Sequence, residues 1–400
     1  MKINERNQYF KKVVHIISYF FLGVSYLIPR RKTLWAFGNS SGYIDNAKYL
    51  YEEVALNHPE IESVWMANKH EVQNLCSMGI RAYNKKSFRG LWVALRAKVY
   101  IYSSYTFDIS FPFSGGAFKV NLWHGAPIKE IEFLISGGPL KKAFDGSLKS
   151  KFLYPYYYQK PDILLTLGVK NSEIMRKAFR VDESNCVSNI YPRCKIFLAN
   201  RENQLSYIMK SGGVALELYY KSRNYDRTYI YMPTFRDAHP RYLQEAGFSF
   251  EKLNDTLRMA NAFFVVKVHT STLSYLSDIK DYSNIYIVRD SMDIYPLLPF
   301  IDVLITDYSS IYFDALYLRR EILLFPFDQE RYSKEDRPFV IDYNNEVKGK
   351  RITEFNDLLS IIKNSVDCHL SDNDYKYMLK MYASNKNNDF AEIIKQHIGL

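Results

Sequence analysis

Short apolar runs, most of them closing on a polar turn, recur along the whole chain, with helix-length stretches between them. In the first half the runs fall at residues 33–37, 64–67, 99–102, 120–123 and 163–167. In the second half they fall at 229–232, 263–267, 285–288, 303–305 and 322–325. Strands separated by helix-length segments predict α/β units with parallel sheets. A polar, helix-prone stretch over roughly residues 195–226 divides the two series. The expected fold class is α/β, with two Rossmann-like domains facing each other across a cleft. The expected division is residues 33–195, residues 196–370 and a C-terminal helical segment at 371–400, preceded by a membrane-associating helix at 1–32.

The same pattern places the candidate chemistry. The run ending at Ile305 is followed by Thr306-Asp307-Tyr308-Ser309-Ser310, and then by apolar positions that suit a helix. Backbone N–H groups and hydroxyls at a helix start suit an anion, and also suit simple capping by Ser309. His124 follows the run at 120–123, beside Gly125 and Pro127, and its titration range suits a general base. His269, with Thr270 and Ser271, follows the run at 263–267 in the other half and could donate to phosphate oxygens. Arg236 follows the run at 229–232; it could neutralise a diphosphate or form a surface turn with Asp237. Each residue also has a structural reading, but all four clusters follow strands, and ligands in such sheets bind at the strands' carboxyl ends.

Composition narrows the partners. Lys and Arg number 53 against 43 Asp and Glu, a net charge of +10, which favours anionic ligands. No long Lys/Arg block and no zinc-finger, RRM or KH pattern supports nucleic acid. The 34 tyrosines are spread along the chain rather than gathered into a stacking platform. Cys76, Cys186, Cys194 and Cys368 form no C-x-x-C pair, which disfavours zinc and redox motifs and suits a reducing compartment. No metal-ligand spacing, nucleophile elbow, P-loop or strand-linked G-x-G-x-x-G occurs. Residues 13–28 are nearly uncharged, between Lys11-Lys12 and Arg30-Arg31-Lys32. That stretch is short of the ~20 residues a spanning helix needs. On a helical wheel His15, Ser18, Tyr19, Leu22, Ser25 and Tyr26 share one side, and Ile16, Ile17, Phe20, Val24 and Leu27 fall largely on the other. This suits an interfacial helix with basic ends on anionic lipid, or a buried core helix.

Six segments in order resemble the CDP-glycerol:glycerophosphate glycerophosphotransferase family of teichoic-acid and capsule primases and polymerases. They are Asp45-Asn46-Ala47-Lys48-Tyr49-Leu50, Trp123-His124-Gly125 with Pro127 and Lys129, Tyr191-Pro192-Arg193, Pro233-Thr234-Phe235-Arg236-Asp237, Lys267-Val268-His269, and Thr306 to Ser310. Asp328, Tyr332, Arg337, Phe339, Asp342 and Tyr343 extend the likeness, which covers roughly residues 33–360. Thr270, Lys195 and Lys348 stand where the family usually has Pro, Asp and Pro, which bears on loop geometry and substrate choice.

The resemblance implies a GT-B-like fold whose second domain holds the donor. It implies transfer of glycerol phosphate from CDP-glycerol, or of a related alditol phosphate from CDP-ribitol, with release of CMP. No cofactor is implied. The acceptor would be an undecaprenyl-diphosphate-linked saccharide or a growing polymer, met at the cytoplasmic face of a bacterial membrane by a peripheral enzyme. In this reading His124 removes the acceptor proton. His269 and Arg236 hold the transferring phosphoryl oxygens, Thr306, Ser309 and Ser310 bind the pyrophosphate, and Lys129 and Asp307 orient these groups. Without a long N-terminal extension, the chain is expected to be a compact primase or a short capsule enzyme. The rival readings are a GT-B nucleotide-sugar glycosyltransferase and a non-enzymatic polyanion- or lipid-binding protein.

Overall fold

The computed structural model describes residues 15–236, 238–276, 280–289 and 292–400. Two sheets, parallel at every pairing, organise them. The first contains β1 (Arg31–Gly38), β2 (Glu62–Ala67), β3 (Ala82–Asn84), β4 (Ala97–Tyr102), β5 (Phe118–Asn121), β6 (Ile163–Thr166) and β7 (Cys186–Ser188), in the order 3-2-1-4-5-6-7. The second contains β8 (Arg227–Tyr231), β9 (Ala262–Val266), β10 (Ile285–Ile287), β11 (Val303–Thr306), β12 (Glu321–Leu324) and β13 (Lys350–Arg351), in the order 10-9-8-11-12-13. Each is a doubly wound sheet that reverses direction beside its first strand, between β1 and β4 and between β8 and β11.

All but one of the apolar runs become interior strands, the run at 285–288 forming the edge strand β10, and helices cover both faces of such sheets. Trp35, Ala36 and Phe37 are all fully buried, as are Phe263 to Val266. All ten runs correspond to strands. Three further strands, β3, β7 and β13, are two or three residues long and lie toward or at sheet edges. The run at 120–123 is shifted: β5 ends at Asn121, and Trp123 leaves it with a φ of 51°.

One apolar cluster joins the two halves, running from Trp35 and Leu50 through Tyr191, Phe197 and Tyr317 to Ile230. The helices Asp372–Tyr382 and Phe390–Ile398 follow the second sheet in sequence but pack back onto the first half. Ile190 N–H donates to the Lys386 carbonyl at 2.8 Å, and Asn388 N–H to Asn189 Oδ1 at 3.1 Å.

The N-terminal helix, residues 15–25, lies on the first half. Its polar and aromatic side faces the protein. Tyr19 stacks on Phe152 at 5.8 Å and donates to the Lys151 carbonyl at 2.8 Å, and Ser25 Oγ accepts from Gly115 N–H at 2.9 Å. Its apolar side, with Ile16, Ile17 and Phe20, faces outward, and Leu27 just beyond the helix is also exposed. No helix among the described residues is long and apolar enough to cross a membrane. Of the expected basic end, Arg30 is bound within the fold, while Arg31 and Lys32 make contacts at the surface. Arg30 donates to the carbonyls of Ala94, Ala97, Phe113 and Gly115, Arg31 pairs with Glu62 at 2.8 Å, and Lys32 donates to the Gly399 carbonyl. Lys11, Lys12 and Val13 lie outside the described residues.

Candidate active site

The loops after β1, β5, β8, β9 and β11 meet around one cleft of about 710 Å³ between the halves. His124, Gly125 and Lys129 line it from the first half, and His269, Ser309 and Ser310 from the second. The two rims touch. A Cβ on Gly125 would sit 2.2 Å from Ser310 Oγ, so only glycine permits this approach. Beyond His124, Glu130 N–H donates to the Pro338 carbonyl and Val340 N–H to the Ile128 carbonyl, each at 2.9 Å. Lys129 thus sits in a short antiparallel bridge to Phe339 of the other half.

His124 is held in one orientation. Its Nδ1 lies 3.0 Å from the Ser103 carbonyl, which can only accept, so Nδ1 carries the proton and Nε2 is left bare. The Trp123 ring lies 4.1 Å away, centroid to centroid. The imidazole surface is open, but only into the cleft between the two walls. Desolvation there lowers its pKa below the ordinary value, with Asp45 opposing the shift and Arg193 and Lys129 adding to it. The ring is therefore neutral at neutral pH, as a proton acceptor must be.

The loop bearing His124 is anchored by residues to which sequence reasoning gave a family likeness but no role. Arg193 is buried; it donates to the His124 carbonyl at 3.0 Å, pairs with Asp45, and pairs with Asp314 of the second half at 2.6 Å. Asn46 Nδ2 donates to the Trp123 carbonyl at 2.8 Å, and Lys48 pairs with Asp293 of the second half at 2.7 Å. Asp45 begins the helix Asp45–Asn57, whose cap position is held by Ile44. Asp45 has a φ of 67° and faces Arg193.

Across the cleft, His269 is exposed and packs against Phe235 at 4.7 Å. Ser309 and Ser310 are half-buried, and Ser310 begins the five-residue helix Ile311–Ala315 without a side-chain capping bond. Arg236 does not reach the cleft. It is fully buried, bidentate to Asp328 at 2.8 and 3.0 Å, paired with Asp307 at 2.7 Å, and bonded to the Thr234 carbonyl. Burial alone would lower its pKa, but Asp307 and Asp328 hold it well above the ordinary value. Its guanidinium is spent on two carboxylates and is not available to a diphosphate. Thr306 is likewise buried, its hydroxyl donating to the Met232 carbonyl at 2.8 Å. Asp307 also accepts from Thr234 N–H at 2.8 Å and from Tyr308 N–H, which ties the loop after β8 to the loop after β11. The expected direct contacts of Arg236 and Thr306 with donor phosphates are therefore corrected: both residues lie behind the cleft wall.

The arrangement so far is a neutral imidazole facing hydroxyls and a second imidazole across a narrow cleft, at the switch points of two doubly wound sheets. The sequence pattern of the CDP-Glycerol:Poly(glycerophosphate) glycerophosphotransferase family matches residues 19–394. The chain belongs to this family. It is 26% identical over 371 residues to a teichoic acid poly(glycerol phosphate) polymerase of Bacillus subtilis (strain 168), covering 90% of this chain and 46% of that protein. The chain thus spans about half the length of that curated relative. A protein of the same description from Bacillus spizizenii (strain ATCC 23059 / NRRL B-14472 / W23) is 24% identical, with both chains covered in full. Among solved structures, the wall teichoic acid polymerase TagF superposes with a TM-score of 0.74 at 20% identity, covering 98% of this chain and 97% of that one. That likeness establishes the shared fold of this family member.

Proposed function

We propose that this family member transfers glycerol phosphate, or a related alditol phosphate, from a CDP-alditol to a hydroxyl of a lipid-linked saccharide or growing polymer, releasing CMP. The observation that carries the reading is the contact between the two rims. A bare imidazole nitrogen on one side is set against paired hydroxyls and His269 on the other. The acceptor oxygen attacks the donor's β-phosphorus while His124 takes its proton. Such a transfer depends on positioning and charge stabilisation more than on covalent help. Ser309, Ser310 and His269 bind the diphosphate oxygens. Arg236 and Thr306 act from behind the wall by fixing the loops that present them, together with Asp307. Lys129 and Lys267, which also line the cleft, supply positive charge. The working division into a first, acceptor-side domain (33–195) and a second, donor-side domain (196–370) belongs to the same proposal.

The test is CMP release by the full chain given CDP-glycerol, CDP-ribitol or nucleotide sugars, each with a synthetic lipid-linked acceptor. Release from a CDP-alditol with extension of the acceptor is expected. Turnover of nucleotide sugars alone would overturn the reading.

The outward apolar side of the N-terminal helix supports peripheral binding at the cytoplasmic face of the membrane. Amphipathic helices on soluble proteins normally turn that side to the core. With Arg30 engaged internally, apolar insertion carries more of the binding than this basic end does. Phe20→Asp combined with Leu27→Asp is expected to abolish co-sedimentation with phosphatidylglycerol vesicles, while high salt leaves wild-type binding largely intact. Vesicle binding unchanged by the substitutions would refute this.

A further inference from the structure

Beside His124 the cleft extends into a recess whose rings all come from the first half, and its chemistry differs from that of the phosphate-facing rim. Its rings form a continuous set: Tyr105 and Tyr157 lie 4.6 Å apart, Tyr157 stacks on Phe144 at 4.7 Å, and Tyr105 meets Trp123 edge-on at 6.2 Å. Trp123 in turn packs on the His124 ring. Among these rings is one carboxyl. Glu132 is 5% exposed, lines the cleft and accepts a hydrogen bond from the Tyr105 hydroxyl. Its backbone has a φ of 50°, a conformation a bulky side chain rarely adopts unless its surroundings impose it. Sequence reasoning had given Glu132 no role, because no motif or strand end marks it.

A buried carboxyl in an aromatic pocket disfavours a second anion and favours neutral hydroxyl groups, which can bond to it without adding charge. Burial pushes this carboxyl up to about 7, against the opposing pull of the Tyr105 hydrogen bond and of Arg337, which approaches from the other half. The aromatic faces suit the C–H surfaces of a sugar or alditol. Resting on the transferase reading above, we propose that this recess is the acceptor-end subsite. Glu132 and Tyr105 bind the hydroxyls adjoining the attacking one, and the rings hold the uncharged end of the acceptor beside His124. Both classes of acceptor end, a sugar and a terminal glycerol, offer this chemistry.

The test uses calorimetric titration of the full chain, which needs no turnover. The ligands are a soluble disaccharide glycoside, the same glycoside carrying one glycerol phosphate unit, and CDP-glycerol. Glu132→Gln and Tyr105→Phe are each expected to raise Kd for at least one glycoside about tenfold, and to change Kd for CDP-glycerol less than twofold. The glycoside that responds identifies the natural acceptor end. The Tyr105→Phe variant keeps the ring stack, so the result does not depend on one variant folding. Unchanged glycoside affinity in both variants, no glycoside binding by the wild type, or an equal loss of donor affinity would overturn the subsite. Failure of the transferase reading has a different signature: no binding or turnover of CDP-glycerol by the wild type, whatever the glycosides do.

Discussion

The two rims of the cleft rest on the same device used in two ways. Each sits over a buried arginine between two aspartates: Arg193 with Asp45 and Asp314, and Arg236 with Asp307 and Asp328. All the partners of Arg236 belong to the second half, so that triad fixes loops within one sheet system and presents neutral hydroxyls at the surface. Arg193 takes one aspartate from each half and also holds the His124 carbonyl. It therefore sets the proton acceptor relative to the opposite wall. The contrast separates building a rim from registering two rims against each other.

Three experiments break or sharpen the contrast. The largest effect is expected for His124→Ala, which removes the group that Arg193 positions. CMP release should fall by about 10²–10⁴-fold, with donor affinity and melting temperature nearly unchanged. In the wild type, the acid limb of the pH–rate profile should lie below the ordinary imidazole value, because desolvation in the cleft lowers the pKa of His124. An acid limb above that value would contradict the assignment.

The next effect concerns stability. Stranding the aspartates by Arg236→Ala, which leaves two buried carboxylates, or by Arg193→Ala, which leaves Asp314 buried and Asp45 half-buried, should cost about 3–5 kcal/mol each. Calorimetry should distinguish the two variants. Arg236→Ala is expected to lower the melting of one half, and Arg193→Ala to separate the melting of the two halves. Identical single-transition curves for both would erase the distinction.

The smallest effect is that of Glu132→Gln, followed by urea unfolding between pH 5 and 8. The folded state raises the carboxyl from 4.5 to about 7, so it binds more protons than the unfolded chain in that window. The contribution of Glu132 is fully present below about pH 4.5 and is lost as the pH rises through about 7. The wild type should lose on the order of 3 kcal/mol relative to Glu132→Gln across the window. Parallel pH curves would show that the carboxyl is not perturbed.

Ten strands were legible from their apolar runs, nine of them interior to a sheet, where burial on both faces demands runs such as Thr33 to Phe37. β3, β7 and β13 were not, because edge strands of two or three residues need no apolar run. The positions of His124, His269, Ser309 and Ser310 on the cleft followed from strand ends alone. Sequence position could not show whether Arg236 points out or in. That depends on Asp328, 92 residues away, closing over it from the loop after β12. The bridge of Lys129 to Phe339 was hidden for the same reason, since both partners are loop residues paired only by the docking of the halves. Glu132 gave no signal because its distinguishing features are a dihedral angle and a burial, and neither is written in residue type.

The return of the C-terminal helices to the first half has a mechanical consequence. The chain passes between the halves twice, once after residue 190 and once before the helix Asp372–Tyr382, and the segment after that helix is hydrogen-bonded to residues 189 and 190, beside the first crossing. The halves are thus tethered by two crossings as well as by the contacts across the cleft through Gly125, Lys129 and Arg193. Arg193 lies three residues from the first crossing and holds the His124 carbonyl. Through its pair with Asp314, the same arginine ties the loop that carries the proton acceptor to the opposite half.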